Sequence, residues 1–455
     1  MKLEAFRKIA IIVFIIILVL VAVLGIYFFV IKKPSNNNDN DQKVTLNWWG
    51  LWEEDATMQT LIAKYNETNP NVEIVYAKKD FHTFPDGLQS IKESIKQRLS
   101  DQDPVAPDIV TINNSWLPEL QAQLSPMPLS IYTQAEYENT FYPHALQDCT
   151  GSNAQLYCIP TEFEGLALYY NKELLSDKGI TEPASSWEEL IDQAKSLTQR
   201  DTSGKITVSG LAFGGGEKVT HSADIITLLL LQRKQAVTAK SSGSSLYTVS
   251  LEDSVGQEVF DFYTNGVTSA RLWDDTLPTD KQLFIDGKLA MIFAPSWYTF
   301  DIKKYNPDLN FDIAEVPQVS NLSNERVDFA DYWAWAVSGT SPNQSVAWDF
   351  LKFLSQPEQY ELMHNTAIAQ KTERVFGRIY PRKDMADKLS SVPYVKPFIE
   401  MAPTAKTVFV GNRESYNELI QTQIDAVTSS NRSQSSNSAY SNFKDGLDSI
   451  LSESQ

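Results

Sequence analysis

Glu162 and Glu164, two positions apart in the run IPTEFEGLALYY, are the side chains of this sequence best placed to do chemistry. On an extended segment their Cβ atoms lie about 7 Å apart on one face. That separation matches the two acids of an inverting glycosidase, but those acids must face each other across the scissile bond. Side by side on one strand they cannot, so the pair suits hydrogen bonds to ligand hydroxyls better than bond cleavage. Other catalytic constellations are missing. The glycines of FGGGEKVT lack the Lys-Ser/Thr step of a phosphate-binding loop, and no GxGxxG opens a helix. No G-x-S-x-G or H-E-x-x-H occurs. The four histidines, His82, His144, His221 and His364, are scattered without ligand spacing. No metal and no cofactor is therefore expected, and no catalytic residue is assigned.

The two cysteines, Cys149 and Cys158, frame the stretch DCTGSNAQLYC. Its turn-rich GSN and strand-like QLYC predict a hairpin that brings both sulfurs together, and outside the cytoplasm such a pair oxidises. Ten Trp, 19 Tyr and 22 Phe can fill cores, and also suit a cleft lined with rings. The net charge is −18, and leaving out residues 1–43, with six basic and three acidic groups, makes it −21. Such a surface repels nucleic acid and anionic lipid, so neither is an expected partner.

These groups sit in a chain of 455 residues, long enough for two lobes or domains. Ile9 to Ile31 is an uncharged, almost wholly apolar run of 23 residues, which exceeds the roughly 20 needed to cross a bilayer as a helix. Lys2, Arg7 and Lys8 precede it and favour a cytoplasmic N-terminus. Cleavage at Val23-Leu24-Gly25 would leave Ile26 to Ile31 as an apolar new terminus, so an uncleaved transmembrane anchor is the expectation. No Cys lies near the run to carry a lipid. Residues 32–43, rich in Asn and Asp, read as a flexible tether.

Beyond the tether the pattern is strand, helix, strand, helix, strand. VTLNWW (44–49), NVEIVY (71–76) and PDIVTI (107–112) read as strands. Met58, Leu61, Ile62 and Tyr65, then Leu88, Ile91, Ile95 and Leu99, have helical spacing. This implies a parallel α/β sheet, in which ligands sit at the carboxyl ends of the strands. Trp49 and Trp116 stand at such ends. LALYYN (166–171), LAFGGG (211–216), LAMIFAP (289–295) and FDIAEVP (311–317) read as further strands, and Ser186 with Glu189 as a capping box. The Ser/Asn-rich stretch 429–442 reads as a solvated loop before a short last helix.

The segment 159–198, IPTEFEGLALYYNKELLSDKGITEPASSWEELIDQAKSLT, resembles the crossover region of family 1 extracellular solute-binding proteins of ABC importers, the maltose-binding-protein type. FIDGKLAMIFAPSWYTFDI (284–302) is similar to that family's Gly-Lys-Ala-Met strand followed by a Trp, and SVAWDFLKFLSQPEQ (345–359) to its late helix. LNWWGLWEED (46–55) and PDIVTINNSWLPEL (107–120) fit its first and third strands, so the likeness spans about residues 44–428. Where the family has a Gly pair at the return through the hinge, this chain has DFADYWAWAVS (328–338), whose Tyr332 and Trp333 should reshape the pocket.

The resemblance implies a two-lobed periplasmic-binding-protein-like α/β fold with hinge-crossing strands, here preceded by a transmembrane helix. One lobe is expected at 44–162 plus 318–375 and the other at 163–317 plus 376–455. It also implies a monomeric, non-enzymatic receptor on the outer face of the cell membrane that hands a small polar ligand, a sugar first of all, to ABC permease subunits. A peptide or polyamine receptor of the same fold and a membrane-anchored carbohydrate-active enzyme are the alternatives. Trp297 matches the family tryptophan that stacks on ligand, and Glu164 a hinge carboxylate. Trp49, Trp116, Tyr332 and Trp333 are candidates by position. Glu162 stands beside Glu164, Gly214 would let backbone approach the ligand, and Arg413 lies in the VGNRES loop before a helix.

Overall fold

The structure, a computed structural model, describes residues 43–454 apart from 81–86, 101–105, 241–245, 321–324 and 371–373. The apolar run Ile9–Ile31 and the tether to residue 42 lie outside the described residues. Among those described, no helix is long and apolar enough to cross a membrane.

Eight strands form the two main sheets: β1 (Val44–Gly50), β2 (Val72–Lys78), β3 (Ile109–Asn113), β4 (Cys158–Pro160), β5 (Ala167–Asn171), β6 (Met291–Ala294), β7 (Phe311–Ala314) and β8 (Trp333–Val337). The first sheet runs β2-β1-β3-β8-β4 and the second β6-β5-β7. They are the cores of two lobes. β1 and β3 are parallel, with Trp48 opposite Ile109, as alternating strand and helix demand. β8 enters from far along the chain and lies antiparallel to β3 and β4. Alternation on β1 sends Leu46 and Trp48 inward, both fully buried. The helix Asp55–Asn66 packs its Met58, Leu61, Ile62 and Tyr65, and the helix Gly87–Ser100 its Ile91, Ile95 and Leu99. Helix Trp187–Leu197 starts where Ser186 accepts a hydrogen bond from the Glu189 N–H.

Three segments run side by side between the lobes. Thr161 donates its N–H to Trp333, and Gly165 bridges Ala330. Asp328 and Phe329 pair in parallel with Ala405 and Lys406, and Ala330 donates to Lys406. Residues 379 and 381 accept from Phe163 and Tyr142, so this return stretch stays beside elements of the first lobe.

Two expectations are corrected. LAFGGG forms no strand: Ala212 bonds once to Met291, and the segment then packs its glycines against helices. A Cβ on Gly210 would sit 1.9 Å from the Ala194 carbonyl oxygen, so the chain follows helix packing here, not a ladder. The last helix, Ser436–Glu453, begins inside the supposed loop, because Ala439, Tyr440, Phe443, Leu447 and Leu451 share a buried stripe that the serines mask. Cys149 and Cys158 are disulfide-bonded, with Cα atoms 5.1 Å apart, as expected; Cys149 also ends the helix Pro143–Cys149, and its carbonyl accepts from the Tyr157 N–H across the turn. The turn at Gly151–Gln155 and the Thr150–Leu156 bridge bring the sulfurs together.

Candidate functional site

Strand β6 ends at Ala294, and Pro295 and Ser296 turn the chain into the helix Tyr298–Tyr305, with Trp297 at its N-cap. Trp297 is 39% exposed, whereas Trp48, Trp187, Trp335 and Trp348 are buried. The Lys281 ammonium lies 4.5 Å from the Trp297 ring centre, and the His221 ring lies 6.2 Å away. Burial holds the Lys281 ammonium below its usual range.

The first lobe answers with its own rings. β1 runs into Trp52, and β8 begins at Trp333; both are half-buried. Trp333 meets Trp52 edge-on at 5.3 Å and Trp116 edge-on at 5.5 Å. Trp116, 5% exposed, thus backs the Trp333 ring.

Carboxylates occupy the first crossing. Glu162 lies 2.6 Å from the Arg378 guanidinium, which also stands 3.6 Å from buried Glu53. Burial pushes the Glu162 carboxyl up, and Arg378 opposes the shift. Glu164 Oε1 accepts from the N–H groups of Ser296 (2.7 Å) and Gly165 (3.1 Å), and its Oε2 lies 2.6 Å from Ser296 Oγ. Burial, then the charge of Glu162, push the Glu164 carboxyl up to about 8.

On the second crossing, Asp331 accepts from Asn113 Nδ2 at 2.7 Å and lies 3.8 Å from Arg413. Arg413 also binds Asp224, whose other oxygen is 2.8 Å from His221 Nδ1. Burial works against the Asp224 charge, yet Arg413 and His221 hold its carboxyl below the usual range.

Two runs of contacts follow. One leads from Trp297 through His221, Asp224 and Arg413 to Asp331 on the second crossing. In the other, Trp333 meets Trp116 and Trp52, and Glu53, next to Trp52 in the chain, shares Arg378 with Glu162. Aromatic faces from both lobes and a belt of charge-paired polar groups are what a sugar requires, with apolar C–H faces and a rim of hydroxyls. Among the described residues no cluster of His, Cys, Asp or Glu could hold a metal.

Several expected residues sit elsewhere. The Trp49 ring is capped by the Lys79 ammonium at 3.9 Å, and Trp52, three residues on, meets Trp333 in its place. Tyr332 is fully buried against His144, because alternation along the strand turns it away from its neighbour Trp333. Gly214, at φ +95°, packs against a helix, where a Cβ would lie 2.8 Å from the Val267 nitrogen. Arg413 is partly buried and ion-paired with Asp224 and Asp331. Sequence reasoning missed Trp52, Asp331, Asp224, His221 and Arg378. Only Trp52 carried a local signal, in WWGLWEED.

Comparison with known proteins agrees with this architecture. Residues 49–361 match the family described as bacterial extracellular solute-binding protein. A binding protein of Brucella abortus is 24% identical over 264 residues, 55% of this chain and 59% of that protein. The maltooligosaccharide ABC transporter solute-binding lipoprotein of Streptococcus pneumoniae is 24% identical over 233 residues, 48% of this chain and 49% of that protein. The chain thus spans between about half and three fifths of the curated relatives it matches. The solved structure of the sugar-binding protein MalE from Xanthomonas citri superposes with a TM-score of 0.68 at 17% identity, covering 90% of this chain and 98% of that one.

Proposed function

This chain belongs to the family of bacterial extracellular solute-binding proteins, and from that premise we propose that it is a non-enzymatic receptor that captures a sugar between its lobes and presents it to ABC permease subunits. The observation that carries the sugar reading is the set of partly exposed rings beside charge-paired groups at the crossing segments: Trp297 on one lobe, Trp52 and Trp333 on the other, with the Glu162–Arg378 and Asp224–Arg413 pairs. The Streptococcus relative, named for maltooligosaccharide, supports the same ligand class. We further propose that Ile9–Ile31 anchors the receptor at the membrane, with the lobes on the outer side. Side-by-side placement of Glu162 and Glu164 supports binding over hydrolysis.

Calorimetry of the full chain in detergent tests the reading. Maltose, maltotriose, mannobiose and tagatose form one arm, and a tripeptide and spermidine the other. One sugar should bind one to one and be recovered unchanged by chromatography. Binding of spermidine or the tripeptide with no sugar bound would transfer the site to a non-sugar solute.

A further inference from the structure

The hydrogen bonds of Glu164 lead to its neighbour and not into the gap. Oε1 takes two N–H donors, from Ser296 and Gly165, and Oε2 meets the Ser296 hydroxyl. The residue after Ser296 is Trp297. From the other side of the same turn, the Tyr169 hydroxyl donates to the carbonyls of Pro295 (2.8 Å) and Ser296 (3.1 Å). The turn that projects the tryptophan is therefore held between a carboxyl and a phenol. With both oxygens engaged, Glu164 has little left to offer a ligand hydroxyl.

We propose that Glu164 is a positioning residue whose carboxyl clamps the Ser296–Trp297 turn and so aims the Trp297 ring at the ligand. Oε1 accepts both N–H groups and Oε2 accepts from the Ser296 hydroxyl, so three donors converge on one carboxyl. Among the described residues no ion pair reaches Glu164, whereas Glu162 has Arg378. The titratable groups around it are Glu162 on its own segment, Arg378 and Arg374 facing Glu162, Asp331 on the next crossing and Tyr169 on β5. None of the cations among them is its partner, and the nearest carboxylate repels a second charge. The consequence for affinity rests on Trp297 being the sugar platform. The clamp itself does not.

The test is acrylamide quenching of Trp297, isolated in the full ligand-free chain as the difference from Trp297→Phe. Glu164→Gln keeps an oxygen that can accept both N–H groups and an amide that can donate to Ser296 Oγ, and should leave the quenching unchanged. Glu164→Ala and Ser296→Ala should raise quenching, each lost hydrogen bond shifting the ratio of aimed to displaced ring about fivefold. Ser296→Ala keeps the test alive if the first variant does not fold. Glu164→Gln behaving like Glu164→Ala, or quenching unchanged in both alanine variants, would overturn the proposal. A maltose titration forms a separate arm. If Glu164→Gln lost maltose affinity while keeping wild-type quenching, the carboxylate would be a ligand contact and not a clamp. Failure of every variant to bind maltose would count against the sugar reading alone, because the quenching arm needs no ligand.

Discussion

Trp297 does its work exposed, and that separates it from the buried tryptophans around it. A ring 39% open to solvent adds little to the core, while a sugar face laid on it would be covered from water. Trp297→Ala should therefore weaken binding of the captured sugar about 30-fold, as loss of a central aromatic anchor does, with the thermal midpoint of the free protein unchanged. A lowered midpoint in differential scanning calorimetry would make Trp297 a core residue. Two buried carboxyls predict a pH effect on stability. Burial pushes Glu164 up to about 8 and Asp148 up to about 7, the latter against hydrogen bonds from Thr407 and Asn114. Unfolded carboxyls titrate near about 4, so between about pH 4 and 8 the folded state holds more protons and stability falls as pH rises. The midpoint should drop between pH 5 and 9, and Glu164→Gln with Asp148→Asn should flatten the slope. At this scale the sequence made residue types legible and pairings illegible. Glu162 and Trp297 could be named, but Arg378 beside Glu162 and Arg413 between Asp224 and Asp331 are brought together over 82 to 216 positions by folding alone.

Strands and helices were legible wherever period and burial agree. The stripe Met58, Leu61, Ile62, Tyr65 and the alternation around Trp48 gave both elements and faces. Legibility failed where a local signal competed with a distant one. The serines of 435–452 suggest a loop, yet Tyr440 and Phe443 pack on Phe260, and that burial outweighs their weak helix propensity. LAFGGG has strand-like residues, but close helix approach at Gly210 and Gly214 removes the ladder. The disulfide belongs to this scale, because it ties the end of helix Pro143–Cys149 to β4 across a sequence separation of 9. So short a loop should contribute only about 2–3 kcal/mol. Cys149→Ser with Cys158→Ser should lower stability by that amount in urea unfolding and leave sugar affinity intact. A loss of binding would mean that the bridge shapes the cleft.

The two lobes touch at more than the crossing segments. Glu414, in the first turn of helix Arg413–Thr428, accepts from the N–H groups of Leu88 (3.0 Å) and Gln89 (3.2 Å) at the start of helix Gly87–Ser100. Its neighbour Arg413 meanwhile reaches Asp331 on the crossing. A carboxylate capping the N-terminus of a helix in the other lobe favours the closed arrangement by about 0.3–1 kcal/mol. Glu414→Ala should thus speed sugar release about 2- to 5-fold in stopped-flow fluorescence with little change in association. An unchanged release rate would place the contact outside the closing motion. Lobes joined by crossing segments and lined with opposed rings should close as a hinge on what they capture. Small-angle scattering of the full chain, with and without the sugar that binds in calorimetry, tests this most directly. The radius of gyration should fall on saturation and stay at its ligand-free value in Trp297→Ala at the same sugar concentration. A bound sugar that leaves the scattering profile unchanged, or an equal contraction in Trp297→Ala, would contradict capture between the lobes on the tryptophan platform.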